Sequence, residues 1–338
     1  MEIYKIVLTG GPCSGKTKTI NELKERLAKL GYYVILVSET ATELIRSNIL
    51  PKDDYEHTLM FQDIILNLQL LKEQKEEQYA NFIKTDMPII ILYDRAILDN
   101  RAYLSSSDDF DNLLNNYSLS EIKLVDKYDL VIDLISLSSL RKDLYVNDDV
   151  RKEDVNLAAT LDRKTAEAWM LSDNMKIIKP TDTIEEKINY VYDIIINYIK
   201  KNNSKKENNS KIDLRKSDFD YYNSNNSKIM EINEYMLKSS LKKSFDYKIY
   251  ERNYKNSTSY LLKVLSKNNV GLWQKQIDKD TFLNILKRQL VSGVNSYYSI
   301  SFIDDDYNLF KINYNQDEGF IKSYSDDHLI PSNIKILK

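Results

Sequence analysis

Residues 10–17 read Gly10-Gly11-Pro12-Cys13-Ser14-Gly15-Lys16-Thr17, and they fit the pattern G-x-x-x-x-G-K-[ST] at every fixed position. An apolar, β-rich segment, Ile3–Leu8, precedes them, and a segment with helical spacing, Thr19–Leu27, follows. Glycine lets the backbone N–H groups of such a loop turn towards phosphate oxygens, and the next helix adds its free N–H groups and the positive end of its dipole. The combination of strand, loop and helix predicts a nucleotide phosphate site rather than a chance glycine-rich turn.

Two side chains of this loop are expected to do more than surround the phosphates. Lys16 is expected to reach the β- and γ-phosphates of ATP or GTP, which makes it a candidate catalytic residue. The hydroxyl of Thr17 is expected to bind Mg²⁺. Cys13, the one cysteine of the chain, is interpreted as a small loop-filling residue, and with a single cysteine no intrachain disulfide forms, which suits a reducing interior.

Composition limits the classes of protein to consider. A chain of 338 residues has room for two domains, and 42% hydrophobic with 29% charged residues allows both a core and a polar surface. The net charge of −3 does not favour nucleic acid as the main partner. No apolar run approaches the roughly 18 residues of a membrane span, and no signal peptide precedes the first strand, so a cytoplasmic protein is expected.

Strands and helices alternate over the first two hundred residues. Long helical patterns cover residues 56–83 and 183–200, between short apolar segments. The predicted strands are Ile3–Leu8, Tyr32–Val37, Met87–Tyr93, Asp129–Leu134 and Met175–Ile178. Such alternation predicts a doubly wound parallel-sheet α/β domain of the P-loop NTPase kind over residues 1–200.

Candidate catalytic residues follow the predicted strands, where a doubly wound fold places its ligands. Asp94 directly follows the Met87–Tyr93 strand, as expected of an acid that holds Mg²⁺, although aspartate also suits a helix N-cap. Arg95 comes next and is placed to meet a phosphate or a substrate anion. Glu39 ends the second strand and is a candidate to accept a substrate hydroxyl proton; the alternative is a first-turn glutamate favoured by the helix dipole.

Three arginines between the fourth and fifth strands are candidates for a lid over the phosphates. They are Arg141, Arg151 and Arg163, with Arg151 the best placed to be catalytic and Arg163 the weakest. Arginine suits this role because its planar fork binds phosphate at two points and keeps its charge. The alternative is ordinary surface charge on helices. His57 and His328 lie apart from any other histidine or cysteine, so no metal site besides that for Mg²⁺ is expected.

The composition changes after residue 200. Residues 201–227 are dominated by Asn, Ser, Lys and Asp, which predicts a linker. Residues 228–338 then alternate polar and apolar side chains in several segments, with one helical segment, Lys279–Leu290, between two hairpins. This part is predicted to be a mostly antiparallel β domain.

These residues carry a resemblance to a known family. The first domain resembles the NadR/translocation-defect type of AAA domain, which groups bacterial nicotinamide-riboside kinase domains with eukaryotic GTP-binding relatives. The residues that carry it are Gly10–Thr17, Glu39-Thr40-Ala41, Asp94-Arg95 with Asp99 and Tyr103, and Asn147 with Arg151. The resemblance implies a kinase-like P-loop domain over roughly residues 1–200.

The second domain resembles the CYTH-like, triphosphate-tunnel fold that follows this AAA domain in the eukaryotic members. The residues that carry it are 232–237, 249–252, Ser259-Tyr260, Gln276-Ile277, Phe282 and 329–331. Catalytic CYTH enzymes carry E-x-E-x-K on their first strand, whereas Glu231 and Glu234 here have another spacing. We therefore expect binding rather than triphosphate cleavage, of a phosphorylated ligand or an acidic lipid; the alternative is a set of solvated strand faces. The candidate cations are Lys242, Lys243, Arg252 and Lys263.

The sequence thus predicts a protein that binds ATP or GTP with Mg²⁺ and either hydrolyses it or transfers its γ-phosphoryl group to a small acceptor such as a nucleoside. The alternative is a non-catalytic adaptor in which the bound nucleotide switches what the β domain binds, whether a phosphorylated ligand, an acidic lipid or a protein. An RNA-end kinase is disfavoured by the acidic balance of charge and by the lack of a basic stripe.

Overall fold

A computed structural model describes the chain in nine stretches. They are residues 2–52, 54–140, 154–200, 209–213, 226–238, 245–266, 271–315, 318–323 and 335–336. The chain divides into two compact units, the first comprising Met1–Leu124 and Tyr128–Ile199 and the second Val125–Lys127 and Lys200–Lys338. Each unit has its own sheet.

The first unit is built on one parallel sheet. In the part of the chain that the structure describes, its strands are β1 (Ile3–Thr9), β2 (Tyr33–Val37), β3 (Ile89–Asp94), β4 (Leu130–Leu134) and β5 (Met175–Ile178). They lie in the order β2-β3-β1-β4-β5, and every neighbouring pair is parallel. The predicted parallel-sheet α/β fold is confirmed, with β1 at its centre.

Helices cover the faces of this sheet. They are α1 (Lys16–Lys29), α2 (Thr40–Arg46), α3 (Tyr55–Phe82), a 3₁₀ helix (Ile97–Tyr103), α4 (Ser107–Asn116), α5 (Glu121–Val125), α6 (Leu137–Leu140), α7 (Val155–Ala168) and α8 (Ile184–Ile199). In α1 the apolar positions Ile20, Leu23 and Leu27 recur at helical spacing and are buried. They join one core cluster with Val191 and Ile195 of α8 and with side chains of β1 and β4.

The strand register aligns the carboxyl ends of four strands. Leu8 lies opposite Asp94 of β3, and Thr9 lies opposite Asp133 of β4. Val37, the last residue of β2, lies opposite Tyr93. The loop that follows β1 therefore leaves the sheet between the ends of β3 and β4, which is where a doubly wound fold binds its ligands.

The second unit is an antiparallel sheet. Within the described residues it comprises β6 (Asn209–Asp213), β7 (Lys228–Leu237), β8 (Phe245–Tyr254), β9 (Ser257–Ser266), β10 (Gly271–Ile277), β11 (Val291–Ile303), β12 (Leu309–Asn315), β13 (Glu318–Ser323) and β14 (Lys335–Ile336), with helix α9 (Lys279–Arg288). The strand order is β10-β9-β8-β7-β11-β12-β13-β6-β14. The predicted antiparallel domain is confirmed. Its strand β6 lies inside residues 201–227, where the sequence indicated a linker, and pairs with β13.

Two of the candidate cations of this domain, Arg252 and Lys263, contact other residues of the same unit. Arg252 is buried, and its guanidinium pairs with the carboxylate of Asp126, a residue of the same unit. The anionic partner that an inward arginine needs is thus supplied by the protein itself. Lys263 lies 4.8 Å from the ring centroid of Tyr250. Lys242, Lys243 and His328 lie outside the described residues.

Candidate phosphate and acceptor site

The loop between β1 and α1 contains three residues with a positive backbone φ. Gly10, Cys13 and Gly15 all have positive φ, at 139°, 57° and 87°. Gly15 is also the N-cap of α1, which begins without a side-chain cap and without an acid in its first turn. The first N–H groups of α1 are therefore not claimed by a capping side chain, as a phosphate-binding helix start requires.

Lys16 lies against its own loop. Its Nζ donates to the carbonyl oxygens of Gly10 and Gly11, both at 2.7 Å, and to Oγ of Ser14 at 3.1 Å. The side chain is 8% exposed, so the ammonium group is fixed beside the loop. Thr17, the next residue, is exposed at the first turn of α1. The loop thus presents one held cation and one exposed hydroxyl.

The first two glycines of the loop are required by packing. A Cβ on Gly10 would lie 2.2 Å from the carbonyl oxygen of Leu134, at the end of β4. A Cβ on Gly11 would lie 2.4 Å from Oδ1 of Asp162, on α7. Contacts this short are not tolerated, so both positions are limited to glycine unless these neighbours move.

Asp162 is the side chain that touches this loop from α7. The residue is fully buried, and Oδ1 accepts hydrogen bonds from the backbone N–H of Gly11 at 2.8 Å and of Ser136 at 3.1 Å. Oδ2 accepts from Oγ of Ser139 at 2.6 Å. Burial raises the pKa of Asp162, and these hydrogen bonds oppose that shift.

Lys187 of α8 holds the loop from another direction. Its Nζ donates to the carbonyl oxygen of Ser14 at 3.0 Å, and the residue is 5% exposed. Burial lowers the pKa of Lys187, while the nearby Asp162 and Asp133 oppose that shift. The loop is therefore fixed by buried charged groups of both signs.

Glu39 and Arg95 form an ion pair across the ends of β2 and β3. Nε of Arg95 donates to Oε1 of Glu39 at 2.8 Å, and the two side chains are 6% and 15% exposed. The second carboxylate oxygen of Glu39 accepts from Oγ1 of Thr42 at 2.6 Å. Although the two residues are far apart in the sequence, the sheet brings these predicted site residues together.

Two further nitrogens of the Arg95 guanidinium are buried. Neither Nη1 nor Nη2 has a hydrogen-bond partner among the described residues, although both are buried. Burial disfavours the charge, but Tyr103, Glu39, Asp99 and Asp94 more than compensate, so the pKa of Arg95 lies above its usual value. The backbone of Arg95 has φ 64°, in the left-handed region that side chains rarely adopt. Strained backbone of this kind clusters at functional sites.

Asp94 precedes this arginine at the end of β3 and is half-buried. Its backbone lies opposite Leu8, two residues before the phosphate loop. A carboxylate here and the exposed hydroxyl of Thr17 are oxygen donors, which are the ligands Mg²⁺ prefers. Mg²⁺ usually takes only one or two protein ligands beside substrate phosphates and waters, so this small donor set fits it.

Two further acids, Asp99 and Asp133, are buried near the end of β1. Asp99 accepts hydrogen bonds from Oγ1 of Thr9, from the N–H of Ala96 at 2.7 Å and from Nε1 of Trp169 at 3.2 Å. Asp133 is fully buried, and neither of its carboxylate oxygens has a hydrogen-bond partner in the described part of the chain. Burial raises the pKa of Asp133 well above its ordinary value, and Asp162 and Asp99 add to the shift.

The three lid candidates have different outcomes. Arg141 and Arg151 lie outside the described residues, as does Asn147, so their predicted roles stay predictions. Arg163 lies on α7, where its Nε donates to Glu167 at 2.8 Å, one helical turn further on. This contact is the helix-surface pairing that was the alternative for Arg163.

Sequence reasoning missed two residues that fix the loop, Asp162 and Lys187, and also the buried Asp133, which lies opposite Thr9. A signal for each is visible in hindsight. Asp162 and Lys187 are charged residues at buried positions of otherwise apolar helix faces, and Asp133 is an acid within an apolar strand. Charged residues are rarely buried in such places unless they have a partner or a function.

One comparison with known proteins shows the family of the chain. A family model described as "AAA domain" matches residues 5–187, which is more than half of the chain. The chain belongs to this AAA domain family. The narrower resemblance to the NadR type and the CYTH-like identity of the second unit stay predictions. No curated protein sequence matches the chain.

One solved structure similar to the AAA domain is a deoxyadenosine kinase from M. mycoides with bound dATP. The identity is 15%, the alignment covers 57% of this chain and 99% of the kinase chain, and the TM-score is 0.42. A likeness at this level says nothing about the substrate of the AAA domain described here. In the described part of the chain, no helix is both long and apolar enough to cross a membrane.

Proposed function

We propose that the first unit binds ATP or GTP with Mg²⁺ and transfers the γ-phosphoryl group to a hydroxyl of a small acceptor such as a nucleoside. The observation that carries this proposal is the pairing of Glu39 with Arg95 beside the phosphate loop. A pure nucleotide-binding loop needs neither a mostly buried carboxylate nor a buried guanidinium with two uncommitted nitrogens at the adjoining strand ends. An acceptor site needs both, a base for the hydroxyl and a cation for negative charge.

The donor side of the proposed site is the loop after β1. The N–H groups at the start of α1 and the ammonium of Lys16 receive the phosphates. Asp94 and the Thr17 hydroxyl are the groups that would hold Mg²⁺, which when bound neutralises the charge that develops on the phosphate oxygens. Thr17 belongs to the loop motif itself. The β1–β3 register places Asp94 opposite Leu8, close to the loop.

The acceptor side lies at the ends of β2 and β3. Glu39 takes the proton of the acceptor hydroxyl while the oxygen of that hydroxyl forms a bond to the γ-phosphorus. The bond between that phosphorus and the bridging oxygen breaks, and the nucleoside diphosphate leaves with the bridging oxygen. The Nη groups of Arg95 stabilise the negative charge of the transferred group. Its Nε contact with Glu39 fixes both side chains, so little reorganisation is required during the reaction.

The test is a transfer screen with purified protein, Mg²⁺, γ-labelled ATP or GTP, and a panel of nucleosides, with water as the blank acceptor. We expect labelled nucleoside monophosphate from at least one acceptor, above the rate of phosphate release in the blank. Phosphate release alone would identify an NTPase. Nucleotide binding without either product would favour the adaptor alternative.

The adaptor alternative draws on the second unit, which we propose to be a binding module rather than a triphosphatase. Glu231 and Glu234 are three residues apart on β7 and therefore face opposite sides of the sheet. Glu234 already accepts from Nζ of Lys248 at 2.6 Å. Two acids on opposite faces do not form the closely spaced metal site that triphosphate cleavage requires.

A further inference from the structure

We propose that Asp162 is a positioning residue for the phosphate loop, and that it holds the loop in its binding shape before any nucleotide arrives. Its effect on affinity rests on the proposed nucleotide binding. Its effect on the shape of the loop does not depend on nucleotide binding, and hydrogen exchange without nucleotide tests that effect separately.

Hydrogen bonds join Asp162 to the phosphate loop. Asp162 accepts from the N–H of Gly11 at 2.8 Å, and the residue is fully buried. It also accepts from the N–H of Ser136, at 3.1 and 3.2 Å for its two oxygens. The hydroxyl of Ser136 in turn donates to the carbonyl oxygen of Pro12 at 2.5 Å. Asp162 and Ser136 thus hold two neighbouring residues of the loop, Gly11 through its N–H and Pro12 through its carbonyl.

Gly11 and Asp162 also pack closely against each other. The missing Cβ of Gly11 leaves the space that the Asp162 carboxylate fills, because an added Cβ would lie 2.4 Å from Oδ1 and 2.6 Å from Cβ of Asp162. Gly11 does not have a positive φ, so its backbone alone does not demand glycine. The glycine at this position is explained by the close approach of Asp162.

Phosphate binding requires a loop whose N–H groups are already oriented. N–H groups that bind an anion must be aimed at it before it arrives, because reorienting a flexible loop costs conformational free energy at the moment of binding. A buried carboxylate with several donors is a rigid anchor, since leaving any of these donors unpaired in the interior is costly. Asp162 supplies this rigidity from α7, outside the motif.

The experiment compares backbone hydrogen exchange of the loop, without nucleotide, in the parent and in Asp162→Asn. The matched control is Asp154→Asn, the same chemical change on the same helix, at the exposed N-cap of α7, where asparagine caps as well as aspartate. We expect exchange of the N–H groups of loop residues 10, 11 and 13–15 to rise about tenfold or more in Asp162→Asn, and to stay unchanged in the control. Unchanged loop exchange in Asp162→Asn, with faster exchange confined to α7, would overturn the inference.

A second variant reaches the same contact from the loop side and serves if Asp162→Asn does not fold. Gly11→Ala is expected to raise loop exchange in the parent, whereas in an Asp162→Gly background, which removes both the carboxylate and the Cβ that crowd this position, the same change should add little. Equal effects in both backgrounds contradict the contact.

Titration of the folded variants with ATP and GTP then tests the consequence. We expect Asp162→Asn to weaken binding about tenfold at a temperature where it is folded, while Asp154→Asn binds as the parent does. If Asp162→Asn loosens the loop and binds as tightly as the parent, Asp162 does not position the loop for nucleotide. If the parent itself binds no nucleotide, the proposed function fails, and the exchange data still decide whether Asp162 holds the loop.

Discussion

The most informative single substitution is Glu39→Gln, because it separates a base from a structural ion-pair partner. Glutamine keeps the shape of the side chain and an oxygen that accepts from Nε of Arg95, but it cannot take a proton from a hydroxyl. General base catalysis contributes about 100- to 10,000-fold to rate. At about 1.4 kcal/mol per factor of ten, we expect kcat to fall by the equivalent of roughly 3–5 kcal/mol.

The structural cost of this change is bounded by the geometry of the pair. The N–O distance is 2.8 Å, with side-chain exposures of 6% for Arg95 and 15% for Glu39. Removing one partner of a buried pair outright costs about 3–5 kcal/mol of stability. Glutamine keeps a hydrogen bond to Arg95, and Asp94 and Asp99 still act favourably on that guanidinium, so we expect a loss below about 3 kcal/mol.

The assay is steady-state transfer to the acceptor found in the nucleoside screen, normalised to folded protein by circular dichroism, together with titration of ATP or GTP. The control is Glu43→Gln in α2, the helix that begins directly after Glu39. The carboxylate of Glu43 lies 3.0 Å from Nζ of its partner Lys72, and its side chain is 50% exposed. We expect this control to transfer at the parent rate and to lose less than about 1 kcal/mol of stability. A Glu39→Gln protein that turns over within about threefold of the parent would refute a base at this position.

Three further predictions follow from the same site. We expect Lys16→Ala, which removes the cation that we propose to bind the phosphates, to leave the fold intact and to lower the calorimetric affinity for ATP or GTP by about tenfold or more; equal affinity of variant and parent for both nucleotides would argue against the loop as the binding site. Asp94→Asn removes the charge that we assign to Mg²⁺ and should lower turnover at least about 100-fold with little change in melting temperature, whereas a melting temperature that collapses together with activity would mark a structural cap. For Asp133, a pKa raised by burial means that the folded protein holds a proton that the unfolded chain releases as pH rises above its ordinary pKa. The stability contribution of Asp133 is therefore full at low pH and is lost as pH rises towards the folded pKa, by up to about 1.4 kcal/mol per pH unit. Asp133→Asn should flatten this fall in urea unfolding of the nucleotide-free protein, and parallel pH curves for variant and parent would contradict the assignment.

Local sequence patterns were sufficient for most of the first unit. The loop motif, the apolar strand Ile89–Asp94 and the strand-end positions of Glu39 and Asp94 are each defined by a few consecutive residues. Since parallel strands end at one edge of a sheet, the motif and the strand ends together predicted where the site lies.

Contacts between distant residues could not be read in this way. Asp162 bonds to a glycine 151 residues earlier in the chain, and in the sequence it looks like any acid on a helix. The pairing of Arg95 with Glu39 joins positions 56 residues apart, and only the strand order reveals it. In the second unit the polar composition of residues 201–227 concealed β6, because a short strand with Asn and Ser carries little of the alternation that indicates a strand.

The strand order of the first unit also has a kinetic consequence. Its site residues follow four different strands, and the central strand β1 pairs only with segments more than eighty residues away in the sequence. Pairings across such separations require long loops to close first, so they are slow to form compared with single helices. The edge that carries Glu39, Asp94 and the phosphate loop exists only after β2, β3, β1 and β4 have assembled. A nucleotide bound as we propose would therefore bind only the completed first unit, and by mass action it would slow the loss of that unit rather than guide its formation.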